Sequence, residues 1–218
     1  MALDVILIDV GHSRIKAARW IRCGEIEVIS DIPHQVDHAL IASVSQEMKS
    51  ALPSSLLSRG REIRPVDVPV RTDYDIDKIG VDRLLAVLAG VKMFPERERI
   101  VVIDAGTLTT IEFIENGRHR GGIIYPSVLD FCGRCSDVIG KTITPVYSKD
   151  AIWGVDTETA VGSGIMALFS PIKVFSPQVV LLGGGRANTV LPVIESLSLP
   201  SICVEPNLVL IGLSYLVD

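Results

Sequence analysis

The stretch from Val5 to Ser13 reads VILIDVGHS, an apolar run that ends in Asp-x-Gly and a hydroxyl residue. The pattern returns from Ile100 to Thr107 as IVVIDAGT and continues into a further Leu-Thr-Thr. Each apolar run is long enough for a buried strand and too short for a typical helix. The Gly allows a tight turn in which backbone N–H groups converge on an anion. Two copies predict two related half-domains that hold one phosphate chain, although Asp and Gly are also common in ordinary turns.

The composition indicates a folded and rather apolar protein. Of the 218 residues, 48% are hydrophobic and 22% are charged, and the mean hydropathy is +0.40. The net charge of −5 and the pI of about 5.4 argue against nucleic acid or an anionic membrane as the main partner. No stretch approaches the ~20 apolar residues that span a bilayer. Residues 1–4 lack the basic region of a signal peptide, so we expect the protein in the cytoplasm.

The predicted elements occur in the same order in both halves of the chain. In the first half we expect strands at 3–9, 15–20, 25–29, 39–44 and, at a sheet edge, 66–70, with helices at 46–57 and 81–93. In the second half we expect strands at 100–104, 108–115, 118–124, 179–182 and 202–204, with helices at 157–169, 187–197 and 208–216. Hairpin strands followed by alternating helices and strands, twice over, indicate a duplicated α/β unit. The charged break at 95–99 predicts domains at 1–97 and 98–218.

The cysteines and histidines do not predict a metal centre. Cys132 and Cys135 form a C-x-x-C, which suits a redox pair or half of a zinc site. A structural zinc site needs a second close Cys/His pair, and the other two cysteines are isolated in sequence. We therefore favour ordinary thiols in a reducing compartment. His34 and His38 are four residues apart, but Pro33 and the polar neighbours favour an exposed loop.

Asp82 and Arg83 stand at the start of the predicted helix 81–93, directly after Gly80 and Val81. An Asp at this position can cap the free N–H groups of the helix. It can equally act as a general base, with the Arg83 guanidinium as a fork for a substrate carboxylate. The residues alone leave both interpretations open.

Two glycine clusters follow predicted strands in the second half. Gly121 and Gly122 precede Ile-Ile-Tyr-Pro and suit either a β-bulge or a close backbone approach to a ligand. Gly183–Gly185 lie between a strand and a helix, where a doubly wound sheet binds a nucleotide, although a glycine-rich helix cap competes. The run is neither G-x-G-x-x-G nor a Walker A motif, so it supports neither Rossmann nor P-loop chemistry.

In this order the motifs resemble those of the type III pantothenate kinases, a family of the actin-like ATPase superfamily. The resemblance runs along almost the whole chain, through the segments 9–16, 80–83, 104–110, 121–126, 158–164, 183–185 and 206–213. It implies an α/β fold of two duplicated ribonuclease H-like units, with mixed sheets flanked by helices and a nucleotide cleft between the halves.

The resemblance also implies an activity, which is transfer of the ATP γ-phosphate to the primary hydroxyl of pantothenate, the first step of coenzyme A biosynthesis. Asp82 would be the general base. The substrate-binding residues would be Tyr74, Gly80, Val81 and Arg83, with Arg83 on the pantothenate carboxylate. The residues that hold ATP and its phosphates would be Asp9, Val10, Gly11, His12, Ser13, Arg14, Lys16, Gly106, Thr107, Thr109, Gly183 and Gly184. Phosphoryl transfer depends mostly on positioning and charge neutralisation, which agrees with two anion-binding turns.

Two metal ions and a second subunit are implied in the same way. Asp9 would help to place Mg²⁺, and Asp104 would bind a monovalent cation, either potassium or ammonium. The family resemblance further implies a homodimer, with the pantothenate pocket near the subunit interface.

Several residues depart from the family pattern, and three of them bear on the activity. His12 stands where the family usually has Asn, and Leu108 replaces a small Ala in the second phosphate loop. Ser127 replaces a Gly, at a position where we expect a backbone angle that favours glycine. Such changes also fit a non-catalytic regulatory protein on this scaffold, like the Bvg accessory factors. A third hypothesis is a kinase of the same superfamily that phosphorylates another hydroxylated acid.

Overall fold

The computed structural model describes residues 4–33, 36–149 and 152–217. It contains two compact units. The first comprises Met1–Glu96, Gly117–Gly121 and Asn207–Asp218, and the second comprises Arg97–Asn116 and Gly122–Pro206. None of the helices in the described residues is long and apolar enough to span a bilayer.

Strands and helices follow one another in an α/β order along the described chain. The strands are β1 (Val5–Val10), β2 (Ile15–Arg22), β3 (Glu25–Ile29), β4 (His38–Ser43), β5 (Gly60–Ile63), β6 (Arg71–Thr72), β7 (Arg99–Ala105), β8 (Leu108–Glu115), β9 (Arg118–Pro126), β10 (Val179–Gly183) and β11 (Ile202–Val204). The helices are α1 (Gln46–Lys49), α2 (Ser54–Arg59), α3 (Val81–Met93), α4 (Val128–Ile139), α5 (Thr157–Phe175), α6 (Ala187–Ser196) and α7 (Leu208–Ser214).

The sheet of the first unit has the strand order β3-β2-β1-β4-β5. Its hairpin strands β1, β2 and β3 are antiparallel, and β4 and β5 run parallel to β1. Successive side chains of a strand point to opposite faces. Leu7 accordingly packs with apolar residues of α3 and α7, whereas Ile6 and Ile8 pack with Leu56 of α2 on the other face. The strand β1 is therefore buried on both sides.

The second unit repeats this arrangement. Its strands follow the order β11-β10-β7-β8-β9, with β7 antiparallel to β8 and parallel to β10. The strand β7 takes the central place that β1 has in the first unit, and β10 corresponds to β4. Val101 and Ile103 of β7 pack with apolar residues of α5 and α6. The common strand order confirms the predicted duplication.

Most predicted elements are present, and the differences have local causes. The predicted helix 46–57 is two short helices, α1 and α2, because Pro53 lies at the N-cap of α2 and lacks the N–H that a continuous helix needs. The predicted edge strand 66–70 is wrong: Pro65–Asp67 form a 3₁₀ turn, and the strand lies earlier, at β5. The helix α4 was not predicted, and Leu3 and His34 lie outside the described residues.

The helices α3 and α7 of the first unit approach closely at Gly212. A Cβ on Gly212 would collide with the backbone carbonyl of Leu85 in α3. We expect Gly212→Ala to lower the free energy of unfolding by about 2–3 kcal/mol, because neither backbone can yield easily. Denaturant unfolding measures this change.

A matched glycine in another helix provides the control for Gly212→Ala. Gly133 lies within α4 and has open space where a Cβ would stand. Gly133→Ala should leave stability unchanged or raise it by about 0.5–1 kcal/mol, since Ala is the better helix former. Equal effects at the two positions would contradict the close packing of α3 and α7.

Candidate active site

The first Asp-x-Gly turn connects β1 to β2. The Gly11 N–H donates to the Arg14 carbonyl at 3.1 Å and closes the turn. His12, Ser13 and Arg14 are exposed. Asp9 and Lys16 lie directly opposite each other in the β1–β2 register, so both side chains project from the same face of the sheet.

Val10 differs from the other residues of the first turn. Its side chain is fully buried with Ile6 and Ile8, so it can offer a ligand only its backbone. The predicted phosphate residues Asp9, Gly11, Ser13 and Lys16 thus lie within one strand–turn–strand segment.

The second Asp-x-Gly turn follows β7 in the corresponding place and is one residue tighter than the first. The Gly106 N–H donates to the Leu108 carbonyl at 2.9 Å, and Thr107 is exposed. Thr109 lies opposite Ala105 on the core face, with its side chain 1% exposed. Its hydroxyl has no hydrogen-bond partner among the described residues. The next residue, Thr110, is the threonine that lies opposite Asp104, and it is not among the predicted site residues.

The glycine run joins this second turn. Gly183 ends β10 and lies beside Asp104 in the sheet register. Gly184 has φ +86°, and a Cβ there would collide with the Asp104 carboxylate and the Ala105 carbonyl. Only glycine fits this position. The structure therefore brings together Asp104, Gly183 and Gly184, which belong to two separate sequence motifs.

The oxygen atoms beside Gly184 suit a hard cation. The Asp104 carboxylate and the Ala105 carbonyl both border the position that a Cβ would fill. Carboxylate and carbonyl oxygens are the ligands that hard cations prefer. The described residues contain no group of three or more His, Cys, Asp or Glu side chains that could hold a metal ion. Mg²⁺ in kinases is commonly bound through one or two carboxylates and the substrate phosphates, and the Asp9 carboxylate near the end of β1 fits that role.

Ser127 forms a polar cluster that the sequence did not reveal. It is the N-cap of α4 with φ −58° and ψ 154°, so the expected glycine-like backbone angle is absent. Its Oγ accepts the Asp130 N–H at 3.1 Å and donates to Asp130 Oδ2 at 2.6 Å. Arg186, the residue after the glycine run, donates from Nη1 to both Ser127 and Asp130. The hydrogen bond from Ser127, with the smaller effect of Arg186, lowers the pKa of Asp130.

Arg186 also touches the second turn through its backbone. Its N–H donates to the Ala105 carbonyl at 2.8 Å. One residue thus links the glycine run, the second Asp-x-Gly turn and the start of α4, three segments that are distant in sequence.

The start of α3 presents Asp82 and Arg83. Asp82 Oδ1 accepts the Arg83 N–H at 2.8 Å, a contact typical of a carboxylate in the first turn of a helix. A Cβ on Gly80 would collide with the same oxygen, so the carboxylate occupies the space that a side chain at Gly80 would need. Val81 is buried in the core, and Arg83 is 8% exposed.

The Arg83 guanidinium lies over the ring of Tyr74. Its Cζ lies 4.9 Å from the centroid of the Tyr74 ring, within cation–π range. The Tyr74 ring stacks on His119, with centroids 6.3 Å apart and planes at 17°. The structure therefore brings the predicted residues Tyr74, Gly80, Asp82 and Arg83 into one region of the first unit. The structure adds His119 to this group. In the sequence His119 is distinguished only by lying two residues before the glycine pair 121–122.

Cys132 and Cys135 lie one turn apart on α4. Both are half-buried and pack against the core of the second unit. Burial, with a smaller contribution from Cys135, raises the pKa of the Cys132 thiol. A raised pKa lowers the thiolate fraction and hence the reactivity. This environment fits ordinary thiols better than a redox pair.

The fold and these turns define a class of protein. Two units with one strand order, each with an Asp-x-Gly turn after its central strand, form the fold of actin-like ATPases and sugar kinases. The crystal structure of an inorganic polyphosphate/ATP-glucomannokinase from Arthrobacter superposes with a TM-score of 0.52 at 14% identity, over 97% of both chains. That of a Baf-family protein from Campylobacter jejuni gives 0.67 at 20% identity, over 97% of this chain and 96% of the other.

Sequence comparison identifies the family within this class. The family model described as type III pantothenate kinase matches residues 25–171. A type III pantothenate kinase of Porphyromonas gingivalis is 30% identical over 98% of this chain and 97% of its own. One from Teredinibacter turnerae is 29% identical over 97% of both chains. The chain belongs to the type III pantothenate kinase family.

The Ser127 cap should contribute measurably to stability. Ser127→Ala removes the acceptor for the Asp130 N–H and a partner of Arg186, so we expect a loss of about 1–2 kcal/mol. Ser127→Gly should cost less than the alanine variant, because glycine is tolerated at an N-cap. Thermal or denaturant unfolding measures both.

The control for Ser127→Ala is Ser170→Ala, which removes an exposed hydroxyl bonded only to a helix carbonyl in the same unit. It should change stability by less than about 0.5 kcal/mol. If Ser127→Ala also changed the free energy of unfolding by less than about 0.5 kcal/mol, the result would contradict a stabilising role of the cap.

Proposed function

We propose that the protein phosphorylates pantothenate with ATP to give 4'-phosphopantothenate, in the first step of coenzyme A biosynthesis. The observation that carries this proposal is the grouping of Asp82, Arg83 and Tyr74 at the start of α3 in a chain of this family. The free cysteines suit a reducing compartment, and we retain the cytoplasm as the proposed location.

The first turn of α3 binds the acceptor substrate. Asp82 accepts the proton of the pantothenate hydroxyl as that oxygen attacks the γ-phosphorus of ATP, the bond from this phosphorus to the β,γ-bridging oxygen breaks, and ADP leaves. Arg83 binds the pantothenate carboxylate, since a guanidinium matches a carboxylate with two parallel hydrogen bonds. Tyr74 supports the guanidinium and lines the substrate pocket, and Gly80 leaves room for the Asp82 carboxylate.

The ATP phosphates bind the Asp-x-Gly turns. In the first unit the donors are the backbone from Val10 to Arg14, the Ser13 hydroxyl and the Lys16 ammonium, with Asp9 helping to order Mg²⁺. In the second unit the donors are the Gly106 backbone and the exposed Thr107 hydroxyl, and Gly183–Gly184 accept the adenosine. Because the Thr109 hydroxyl faces the core, we assign it a smaller part than Thr107.

A monovalent cation, potassium or ammonium, completes the proposed site. The Asp104 carboxylate and the Ala105 carbonyl supply its oxygen ligands beside Gly184. Such an ion neutralises phosphate charge, which is a large part of phosphoryl-transfer catalysis.

Loss of the Asp82 base tests the function. With ATP, Mg²⁺, potassium and pantothenate, the purified protein should release ADP in a pantothenate-dependent manner. Asp82→Asn keeps the shape of the side chain but cannot accept the proton, so we expect kcat to fall by about 10²–10⁴-fold. A coupled ADP-release assay measures both, and circular dichroism verifies the fold.

The control is Asp31→Asn, which neutralises an exposed carboxylate in the same unit and should leave turnover unchanged. Absence of pantothenate-dependent turnover in the unmodified protein would contradict the proposal. If calorimetry then showed that neither ATP nor pantothenate binds, the non-catalytic alternative would replace it. Turnover of a different hydroxy acid would favour the third hypothesis.

We also propose that the protein is a homodimer. The segment 152–155 of the second unit exposes Ile152, Trp153 and Val155, with 85%, 72% and 90% of their surface accessible. Neighbouring exposed apolar side chains of this size commonly mark an interface, and most symmetric oligomers are dimers. A second copy of this chain is the occupant that we propose.

Trp153→Asp should weaken the dimer. Buried Trp residues are frequent interface hot spots worth about 2 kcal/mol or more, so the dissociation constant should rise by about thirtyfold or more. Light scattering over a concentration series gives this constant. Val174→Asp places the same charge on another exposed apolar position of the second unit and should leave the dimer intact. A monomeric unmodified protein would contradict the proposal.

A further inference from the structure

Two short segments of the first unit form a pair that we call the 72–120 clip, comprising residues 71–74 and 118–120. The strand β6 runs parallel to the start of β9, with Thr72 opposite His119. The Asp73 N–H donates to the His119 carbonyl at 2.9 Å. The backbone of the clip is therefore fixed immediately before Tyr74.

The outer side of the clip is ionic. Arg118 and Arg120 alternate with His119 along β9, so their side chains lie on the face opposite to it. Both guanidinium groups contact the Asp73 carboxylate, Arg120 at 3.0 Å. The hydrogen bond from Arg118 is the main cause that lowers the pKa of Asp73. These side chains are largely exposed, so water and salt screen the ion pairs.

The inner side of the clip is buried. His119 is fully buried, and its Nδ1 lies 2.8 Å from Thr72 Oγ1. The same hydroxyl oxygen accepts the Tyr74 N–H at 2.9 Å. The His119 ring then stacks on the Tyr74 ring, over which the Arg83 guanidinium lies. A continuous series of contacts thus runs from Thr72 through His119 and Tyr74 to Arg83.

We propose that His119 is a positioning residue, which holds the Tyr74 ring in place and thereby orients the Arg83 guanidinium toward the carboxylate of the acceptor substrate. The identity of that carboxylate rests on the proposed function, whereas the ordering of Arg83 does not. A guanidinium that is ordered before binding loses less conformational freedom when the substrate arrives. The loss of His119 should therefore weaken acceptor binding and leave ATP binding intact.

Four variants separate stacking, hydrogen bonding and simple loss of stability. His119→Leu removes the ring, His119→Phe keeps a ring but not the bond to Thr72, and Thr72→Val removes that bond from the other side. His38→Leu is the matched control, because His38 is an exposed histidine of the same unit.

For His119→Leu we expect the KM for pantothenate to rise by about tenfold, while the KM for ATP stays within about twofold. His119→Phe should restore most of the loss, and His38→Leu should match the unmodified protein. Thr72→Val should fall between His119→Phe and His119→Leu, because it also removes the acceptor of the Tyr74 N–H. The ratio of kcat/KM for pantothenate to kcat/KM for its neutral carboxamide should also fall in His119→Leu, because the variant weakens the contact between Arg83 and the carboxylate. Equal rises in both KM values, or unchanged KM values, would overturn the proposal.

A second readout does not require turnover. The Nε–Hε signal of Arg83 in a ¹⁵N–¹H spectrum, assigned through its loss in Arg83→Lys, reports whether the guanidinium is held in one orientation. It should be sharp in the unmodified protein and in His119→Phe, and broadened in His119→Leu. An unchanged signal in His119→Leu would overturn the positioning role. If pantothenate is not phosphorylated, the proposed function fails, yet this signal still decides the role of His119.

Discussion

A strand that is buried on both faces cannot carry a polar side chain along its length without a buried partner. In this protein that constraint applies to β1 and β7, the central strands of the two units, whose side chains pack alternately on opposite layers. Their carboxylates, Asp9 and Asp104, stand near the end of each strand, where the burial is incomplete. The turn that follows must leave the sheet sharply, and a glycine after each carboxylate makes this turn. The ionisable side chains of β1 and β7 therefore lie near the strand ends, because the burial that stabilises the sheets excludes them from the rest of each strand.

Gly80 and Gly184 have a different role, which is to leave room for a carboxylate. The Asp82 carboxylate lies next to Gly80, and the Asp104 carboxylate lies next to Gly184. In both cases the oxygen occupies the place of the missing Cβ, so the glycine fixes where the carboxylate can stand. At Gly184 the Ala105 carbonyl adds a backbone contact that no side chain rotation could relieve. Gly184 therefore has to be glycine, whereas a side chain at Gly80 would instead require the Asp82 carboxylate to rotate away.

The sequence predicted what depends on local pattern. Helical spacing placed α3 at Val81–Met93, and the repeated strand order placed β8 at Leu108–Glu115, both with the observed bounds. The same repeated order revealed the duplication. Features made by distant residues were not predictable. His119 lies opposite Thr72 because β6 pairs with β9, and Arg186 contacts Ser127, which is 59 positions away in the sequence. The register of β8, rather than the Thr-rich pattern, decides that Thr109 faces the core and Thr110 lies opposite Asp104.

The structure shows how His12, Leu108 and Ser127, which depart from the family pattern, fit their surroundings. His12 and Leu108 are both exposed at the tips of their turns, where a larger side chain displaces no core residue. Ser127 has an ordinary helix-cap backbone, and its hydroxyl is engaged by Asp130 and Arg186. A serine in place of glycine is thus accompanied by an arginine that bonds to it, and the same arginine holds the second Asp-x-Gly turn through its backbone. The serine is thus part of the hydrogen-bonded connection between the start of α4 and the second Asp-x-Gly turn, so its presence leaves that turn ordered.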